Sequence, residues 1–246
     1  MRGVLILQAR MGSQRLPGKS ALSLGGMPLI EAIMQRLDRL TCEKWLATSN
    51  SVEDELLVDI GHRRGWQVYR GSKENVVSRF EAILRDGNYD YCIRVTGDNP
   101  LVCPNGLQLM TEAFAATFKK IDYISDFELG QYPTGAFAEI FSAAVFLESL
   151  GTIPITDHWH FSHVTSWMRL ISRTSSLKLP REFKHRPKWR WTVDYPEDFQ
   201  FINQLVNVMG SSWLDWSYPE IVKVLDKYPQ LTEINQGLVQ KQIELG

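Results

Sequence analysis

Apolar and polar positions divide the first half of the chain into a regular alternation. Residues 4–9 form an apolar run, the pattern of a strand covered on both faces, and a polar loop rich in Gly and Arg follows it. Residues 28–40 then carry Leu29, Ile30, Ile33, Met34, Leu37 and Leu40 at helical spacing, with Pro28 suited to a first helical turn. Residues 44–49 predict a second short strand. Residues 51–65 open on Ser51, a capping residue, carry Leu56, Leu57 and Ile60, and stop at Gly65, so they predict a helix. Residues 67–70 and 73–85 repeat the strand and the helix. Residues 90–95 and 105–118 repeat them again, joined by Thr96-Gly97-Asp98-Asn99-Pro100, a turn by composition. Four β-α units in succession predict a mostly parallel sheet with helices on both faces.

The second half is less regular. Residues 138–141 predict a strand, 156–168 a helix rich in aromatic residues and histidine, and 170–179 one or two short strands. Residues 189–193 read as a short apolar strand ending at Asp194, followed by a Pro196-initiated helix to Met209. A last helix is expected over 218–227, stopped near Pro229. There is no internal repeat, low-complexity segment or linker composition. Residues 1–246 are therefore read as one α/β domain, with residues 126–188 an irregular subdomain inserted into it.

Composition narrows the class. At 44% hydrophobic and 11% aromatic, the 246 residues suffice for a full core and argue against disorder. The 27 Lys plus Arg nearly balance 28 Asp plus Glu, for a net charge of -1. That balance removes the electrostatic footprint of nonspecific nucleic-acid binding, so no nucleic-acid partner is expected, while a local basic cluster can still serve a small anion. Cys42, Cys92 and Cys103 are odd in number and lack CxxC spacing, so a reducing compartment is the default. The N-terminal apolar stretch is too short for a signal-peptide core and no run approaches membrane-spanning length. The expectation is a cytoplasmic protein without a membrane partner.

Three places carry candidate chemistry. The loop Arg10-Met11-Gly12-Ser13-Gln14-Arg15-Leu16-Pro17-Gly18-Lys19 follows a buried strand and precedes a helix, where open α/β sheets bind ligands. Its glycines let backbone N–H groups approach phosphate oxygens, and Arg15 and Lys19 add fixed positive charge. Five residues, not four, separate Gly12 from Gly18-Lys19-Ser20, and Pro17 removes a donor, which disfavours a P-loop ATPase. An ordinary surface loop with scattered basic residues is the bland alternative. Asp98 and Asp194 each stand where an apolar strand ends. Alone, either reads as a turn or N-cap residue. Together, facing a basic Gly-rich loop, they make the set that metal-assisted transfer of a nucleotidyl group needs, with Asp98 and Asp194 holding magnesium and Arg and Lys stabilising the leaving pyrophosphate. The cluster His158, His160 and His163 invites a zinc reading, but its spacing fits no usual site and no cysteine is near, so substrate contact or a subunit interface is preferred. The Trp189-Arg190-Trp191 run is read as core and pocket lining.

The segment from Gln8 to Lys19 resembles the opening signature of sugar cytidylyltransferases, closest to the spore coat polysaccharide biosynthesis branch, with acylneuraminate and 3-deoxy-manno-octulosonate cytidylyltransferases more distant. Further matches follow in order: Tyr69-Arg70-Gly71-Ser72; Arg94-Val95-Thr96-Gly97-Asp98-Asn99-Pro100-Leu101; Tyr132-Pro133-Thr134-Gly135 with Glu139; His163-Val164-Thr165; the run from Trp191 to Asp198; and Ile234-Asn235-Gln236. The resemblance therefore spans essentially the whole chain.

It implies a three-layer α/β/α nucleotide-diphospho-sugar transferase fold with a mostly parallel mixed sheet, and homodimers formed through the irregular insertion. Ala9, Arg10, Gly12, Ser13, Arg15 and Lys19 are expected around the triphosphate, and Arg70, Gly71, Ser72, Thr96 and Gly97 around the rest of the nucleotide. Asp98 and Asp194 are expected as Mg2+ ligands, and Tyr132, Gly135, Glu139 and His163 on the acceptor side. The expected reaction moves CMP from CTP to a sugar acceptor, an acidic keto-sugar of a surface polysaccharide pathway, with release of pyrophosphate. The sequence departs from the family pattern at Ser162, where many relatives carry Glu, and in Gly135-Ala136-Phe137-Ala138-Glu139, where relatives often carry an Asp. Both departures fall on the acceptor side. The alternatives are a nucleotidyltransferase using another NTP, a glycosyltransferase on the same fold, and an inactive nucleotide-binding protein. An Asp-x-Asp metal motif is missing at Asp98-Asn99-Pro100, which weighs against the glycosyltransferase.

Overall fold

The computed structural model describes residues 1–126, 129–154 and 158–238. The chain runs β1 (Gly3–Gln8), the two-residue β2 (Ser23–Leu24) and β3 (Met27–Pro28), α1 (Leu29–Leu37), β4 (Glu43–Ser49), α2 (Glu55–Arg63), β5 (Gln67–Gly71), α3 (Val77–Gly87), β6 (Tyr91–Thr96), α4 (Pro104–Ala116), β7 (Tyr123–Ser125), β8 (Glu139–Ser142), α5 (Ala143–Leu150), α6 (His158–Ser162), α7 (Ser166–Ile171), β9 (Thr174–Ser176), α8 (Pro196–Met209), α9 (Tyr218–Lys227) and α10 (Gln230–Glu233).

Among the described residues seven strands form one sheet in the order β5-β4-β1-β6-β8-β7-β9, and β2 and β3 make a separate ribbon. β5, β4, β1 and β6 are parallel, β8 runs against both of its neighbours, and β9 is parallel to β7. The expected mostly parallel mixed sheet is therefore what the chain builds. The side-chain alternation of β1 feeds both faces of the sheet. Leu5 and Leu7 join a core with residues of α1, α2, α4, α8 and α9, and Val4 and Ile6 join another with residues of α3, α5 and α7. These are the two outer layers. Among the described residues no helix is long and apolar enough to cross a membrane.

Strand order fixes where a ligand can sit. From β1 the chain proceeds to β4 and β5 on one side, then returns to place β6 on the other side of β1. The connections diverge between β1 and β6, and such a switch point opens a crevice at the carboxyl ends of the strands. Gln8 pairs with Thr96 there, so the loop after β1 and the turn holding Asp98 leave the sheet side by side.

Several elements differ from the sequence expectation. The helix expected over 73–85 begins only at Val77, because Asn75 N–H donates to Ser72 Oγ (2.9 Å) and Ser78 N–H to Asn75 Oδ1 (3.0 Å), a side-chain alternative to helical bonding. The helix expected from Ser51 opens as a 3-10 turn, Val52–Asp54, before α2. The expected strand 189–193 is a single bridge, Thr134 to Arg190. Its amides serve two different loops, Trp191 N–H donating to Thr134 O (2.8 Å) and Val193 N–H to Asp98 O (2.7 Å). The helix expected over 156–168 is two, α6 and α7, parted at residues 163–165, and its positions 156 and 157 lie outside the described residues. β7 and α5 are absent from the sequence reading. β7 has three residues, too few to show a period, and α5 starts where Ser142 Oγ caps Val145 N–H (3.4 Å).

Candidate active site

Lys19 is the centre of the site. The loop after β1 folds back on itself, with Ser13 N–H (2.8 Å) and Gly18 N–H (3.2 Å) both donating to Met11 O. Gly18 takes φ 71, which only glycine adopts cheaply, and this turns the chain into the 3-10 turn Lys19–Ala21. Lys19 thereby points inward, nearly buried, and its Nζ donates to Asp98 Oδ2 (2.9 Å), Asp194 Oδ1 (3.0 Å) and Val193 O (2.8 Å). Arg15 reaches the same carboxylate, 2.8 Å from Asp194 Oδ1, with its guanidinium over the Tyr195 ring.

The two aspartates lie 96 positions apart in the sequence, and the backbone bond from Val193 to Asp98 brings their turns together. Gly135 (φ 92) fits between them. A Cβ there meets Asn99 Oδ1 at 2.8 Å and Thr192 N at 2.9 Å, so only glycine lets the two turns approach. Burial works against the Lys19 ammonium, but Asp98 and Asp194 outweigh it and hold its pKa above the ordinary value. Burial works against ionised Asp98 as well, and Lys19 together with the Thr96 hydroxyl holds that carboxyl below its ordinary value. Both groups stay charged at neutral pH.

A second layer fixes these side chains, and of it Asp54 and Arg79 were not singled out in the sequence. Buried Asp54 accepts from Met11 N–H (2.7 Å), Ser49 N–H (3.0 Å), Thr48 Oγ1 (2.9 Å) and Ser49 Oγ, so one carboxylate ties the phosphate-loop candidate to β4. Buried Arg79 donates to Ser72 O (2.8 Å from Nε), which shapes the turn after β5. Arg94 bridges Gln8 Oε1 (3.2 Å) and Glu139 Oε2 (2.7 Å), tying β6 to β1 and β8. Arg190 pairs with Asp194 (2.9 Å) and Asp198 (2.8 Å). The signals were present: Asp54 is three residues past the capping Ser51, and Arg190, Asp194 and Asp198 recur at intervals of four.

The expected nucleotide residues surround this centre unevenly. Ala9 is buried beside β4, its N–H donating to Ala47 O (3.2 Å), and Arg10 extends to Lys73 O (3.5 Å). Gly12 sits at the loop tip near Lys73 and Glu53, and Ser13 Oγ accepts from Leu16 N–H (3.4 Å). Thr96 and Gly97 open the Asp98 turn, Gly97 N–H donating to Gln8 O (2.7 Å). Arg70 is held away from Lys19 by Glu55 (2.6 Å) and Ser51 O (3.2 Å), with Gly71 and Ser72 next to it.

On the acceptor side, Glu139 accepts from Arg94 and from Thr165 Oγ1 (3.0 Å). His163 is exposed and stacked on Trp159, its Nδ1 2.9 Å from Trp159 O, while His160 faces Ser166 Oγ at 2.6 Å. Tyr132 is 2% exposed, edge-on to Phe137, His185 and Tyr218, and its hydroxyl accepts from Leu179 N–H (3.3 Å). That burial places Tyr132 in the core. Among the described residues no three His, Cys, Asp or Glu side chains gather as a metal site.

Comparison with known proteins supplies a family. The cytidylyltransferase family model matches residues 4–146, the stretch that contains the loop after β1 and Asp98. The spore coat polysaccharide biosynthesis protein SpsF of Bacillus subtilis is 30% identical over 239 residues, covering 92% of this chain and 95% of that protein. A solved cytidylyltransferase of Leptospira borgpetersenii superposes with a TM-score of 0.87 at 25% identity, covering 98% of this chain and 99% of that one. A CMP:2-keto-3-deoxy-manno-octonic acid synthetase solved in complex with CTP shares the fold, with a TM-score of 0.62 at 17% identity over 85% of this chain and all of that one. A family model over more than half of the chain and a relative matched along nearly its full length lead to one conclusion: the chain belongs to the cytidylyltransferase family and is a nucleotidyltransferase.

Proposed function

We propose that the protein transfers CMP from CTP to a hydroxyl of a sugar, an acidic keto-sugar of surface polysaccharide biosynthesis, and releases pyrophosphate. The observation that carries this reading is the convergence of Asp98 and Asp194 on one ammonium at the β1/β6 switch point, under a basic loop. The donor set suits Mg2+. Two carboxylates offer hard oxygens, the Lys19 ammonium already stands as a cation between them, and magnesium is commonly held by one or two carboxylates completed by substrate phosphates. Bound there, magnesium supplies charge neutralisation on the triphosphate.

The chain's own residues do the rest. Arg15 and Lys19, joined by Arg10 and the amides near Gly12 and Ser13, turn from the carboxylates to the phosphate oxygens and stabilise the departing pyrophosphate. Arg70, Gly71, Ser72, Thr96 and Gly97 flank the base and ribose. Gly135, Glu139 and His163 flank the acceptor, whose hydroxyl gives its proton to solvent as its oxygen bonds to the α-phosphorus and the bridge to the β-phosphate breaks. Positioning and charge neutralisation suffice for such chemistry, so no protein nucleophile is required. Two copies pair through residues 126–188, a reading supported by Leu129 (51%), Leu170 (56%) and Ile171 (52%) left exposed there.

The test is pyrophosphate release with Mg2+ and each of CTP, GTP, UTP and ATP across a panel of nonulosonic and other bacterial sugars. Release with CTP and a keto-sugar acid is expected. Release with another nucleotide overturns the base assignment, and failure to bind CTP with Mg2+ by calorimetry overturns the reading.

A further inference from the structure

Asp194 is held by two kinds of cation. Arg15 and Lys19 both meet Oδ1, from the loop after β1. Oδ2 is taken from the opposite side by Arg190 Nη2 at 2.9 Å. Arg190 is itself fixed. Its Nε donates to Asp198 Oδ1 (2.8 Å) and its Nη2 to Asp198 Oδ2 (3.2 Å), a two-point grip that a lysine cannot reproduce. Asp198 is fully buried and accepts two further bonds, from the amides of Asp194 (2.9 Å) and Tyr195 (3.0 Å). One carboxylate thus sets the backbone of Asp194 and, through Arg190, its side chain.

The clamp is closed from far along the chain. Asn235, just after α10, is buried and donates its Nδ2 hydrogens to Asp198 Oδ1 (2.9 Å) and Arg190 O (3.0 Å). Three cations, Lys19, Arg15 and Arg190, face three carboxylates, Asp98, Asp194 and Asp198. The two on the loop can move to phosphates without stranding Asp194, because Arg190 stays.

We propose that Arg190, locked by Asp198 and Asn235, is a positioning residue that anchors Oδ2 of Asp194 and presents Oδ1 to the cation, so that docking of the segment after α10 sets metal affinity. This rests on the assignment of Asp194 as a magnesium ligand. Outer partners of metal ligands orient them, and their loss weakens metal binding about 10–100-fold.

The experiment measures Mn2+ binding, as a hard-cation probe, by the loss of the free-ion electron paramagnetic resonance signal, with the metal alone and then with CTP. It uses the full chain, Arg190→Lys, Asn235→Ala and a control, Leu84→Ala, which opens a cavity in the core on the far face. Circular dichroism melting curves establish that each variant is folded at the temperature used. The expected result is about 10–100-fold weaker Mn2+ binding in both clamp variants, with Leu84→Ala binding like the parent despite its lower melting temperature. If the parent binds Mn2+ and the folded clamp variants bind it within about threefold, the positioning role is overturned and the magnesium site stands. If the parent binds no Mn2+ with or without CTP, the magnesium reading itself falls, and the clamp proposal with it. Should Arg190→Lys fail to fold, Asn235→Ala decides, because it keeps every charge of the cluster.

Discussion

Replacing Lys19 with methionine isolates the electrostatics of the site. The Nζ sits 2.9 Å from Asp98 and 3.0 Å from Asp194, and it also satisfies Val193 O at 2.8 Å. Unit charges about 4 Å apart attract by about 4 kcal/mol at an effective dielectric of ~20. Desolvation of the three groups offsets much of that, but the variant keeps the desolvation of both carboxylates and loses the attraction. Breaking a buried pair in this way costs about 3–5 kcal/mol. The lower half of that range is expected, since the Asp98 side chain keeps partial contact with water and Asp194 keeps Arg15 and Arg190. Against a domain stability of about 5–15 kcal/mol the loss is easily measured by urea unfolding. A cation between the two carboxylates then becomes more valuable to the variant than to the parent. Mg2+ at about 100 times its Kd returns about 2.7 kcal/mol by mass action. The expected pattern is therefore a large destabilisation without metal, partly reversed by Mg2+, together with loss of turnover. A Lys19→Met protein within about 1 kcal/mol of the parent without metal, or one gaining no more from Mg2+ than the parent does, refutes the reasoning.

Three further outcomes follow from the same geometry. Asp194→Asn keeps the shape of a ligand but removes its charge, and kcat should fall by at least ~100-fold, about 3 kcal/mol, in a protein that still folds, checked by pyrophosphate release beside circular dichroism. Gly97→Ala places a Cβ 2.7 Å from that of Ala9 and 3.1 Å from Gln8 O, so overpacking of about 1–3 kcal/mol and a displaced Asp98 turn are expected, read as a lower urea midpoint and weaker nucleotide binding. Asp54→Asn loses charge-assisted bonds to Met11, Ser49 and Thr48, costing about 3 kcal/mol at neutral pH. Burial alone raises the Asp54 carboxyl, but those bonds overcome it and hold it below its ordinary value of 3.8. Its contribution is then complete above that value and lost as pH falls through the lower folded value, so the stability gap between parent and Asp54→Asn should narrow below pH 3.8 and not at alkaline pH.

The elements most legible in the sequence were those buried on both faces or amphipathic over several turns. β1, β4 and β6 show apolar runs because helices cover both sides of the sheet, and α8 and α9 show helical spacing after a proline at their first turn. The three-residue β7 is too short to show a period, and the segment before Asp194 looked like a strand although its amides serve two separate loops. Asp98 and Asp194 were legible as charged residues at the carboxyl ends of apolar runs, and Lys19 as a basic residue of the loop after β1. That the aspartates face the basic loop was legible as well, but their meeting on one ammonium was not, because it depends on the backbone bond between Val193 and Asp98 and on the room Gly135 leaves. The roles of Asp54, Arg190 and Asn235 were hidden for a related reason, although Arg190 read as pocket lining and Asn235 stood in a family match. Each acts through a buried hydrogen bond to a partner chosen by the fold, and in one dimension each resembles an ordinary cap or surface residue.

The most direct test of nucleotidyl transfer at this site follows the phosphorus atom. CTP labelled at the α-phosphorus is incubated with the protein, Mg2+ and the acceptor panel, and the products are separated and weighed by mass spectrometry. The label is expected to leave with a sugar as a CMP-sugar, one pyrophosphate appearing for each, and Asp98→Asn and Asp194→Asn to stop both together. Label recovered in CDP with a phosphate moved elsewhere, or CMP-sugar formed undiminished by the two aspartate variants, contradicts nucleotidyl transfer at this site.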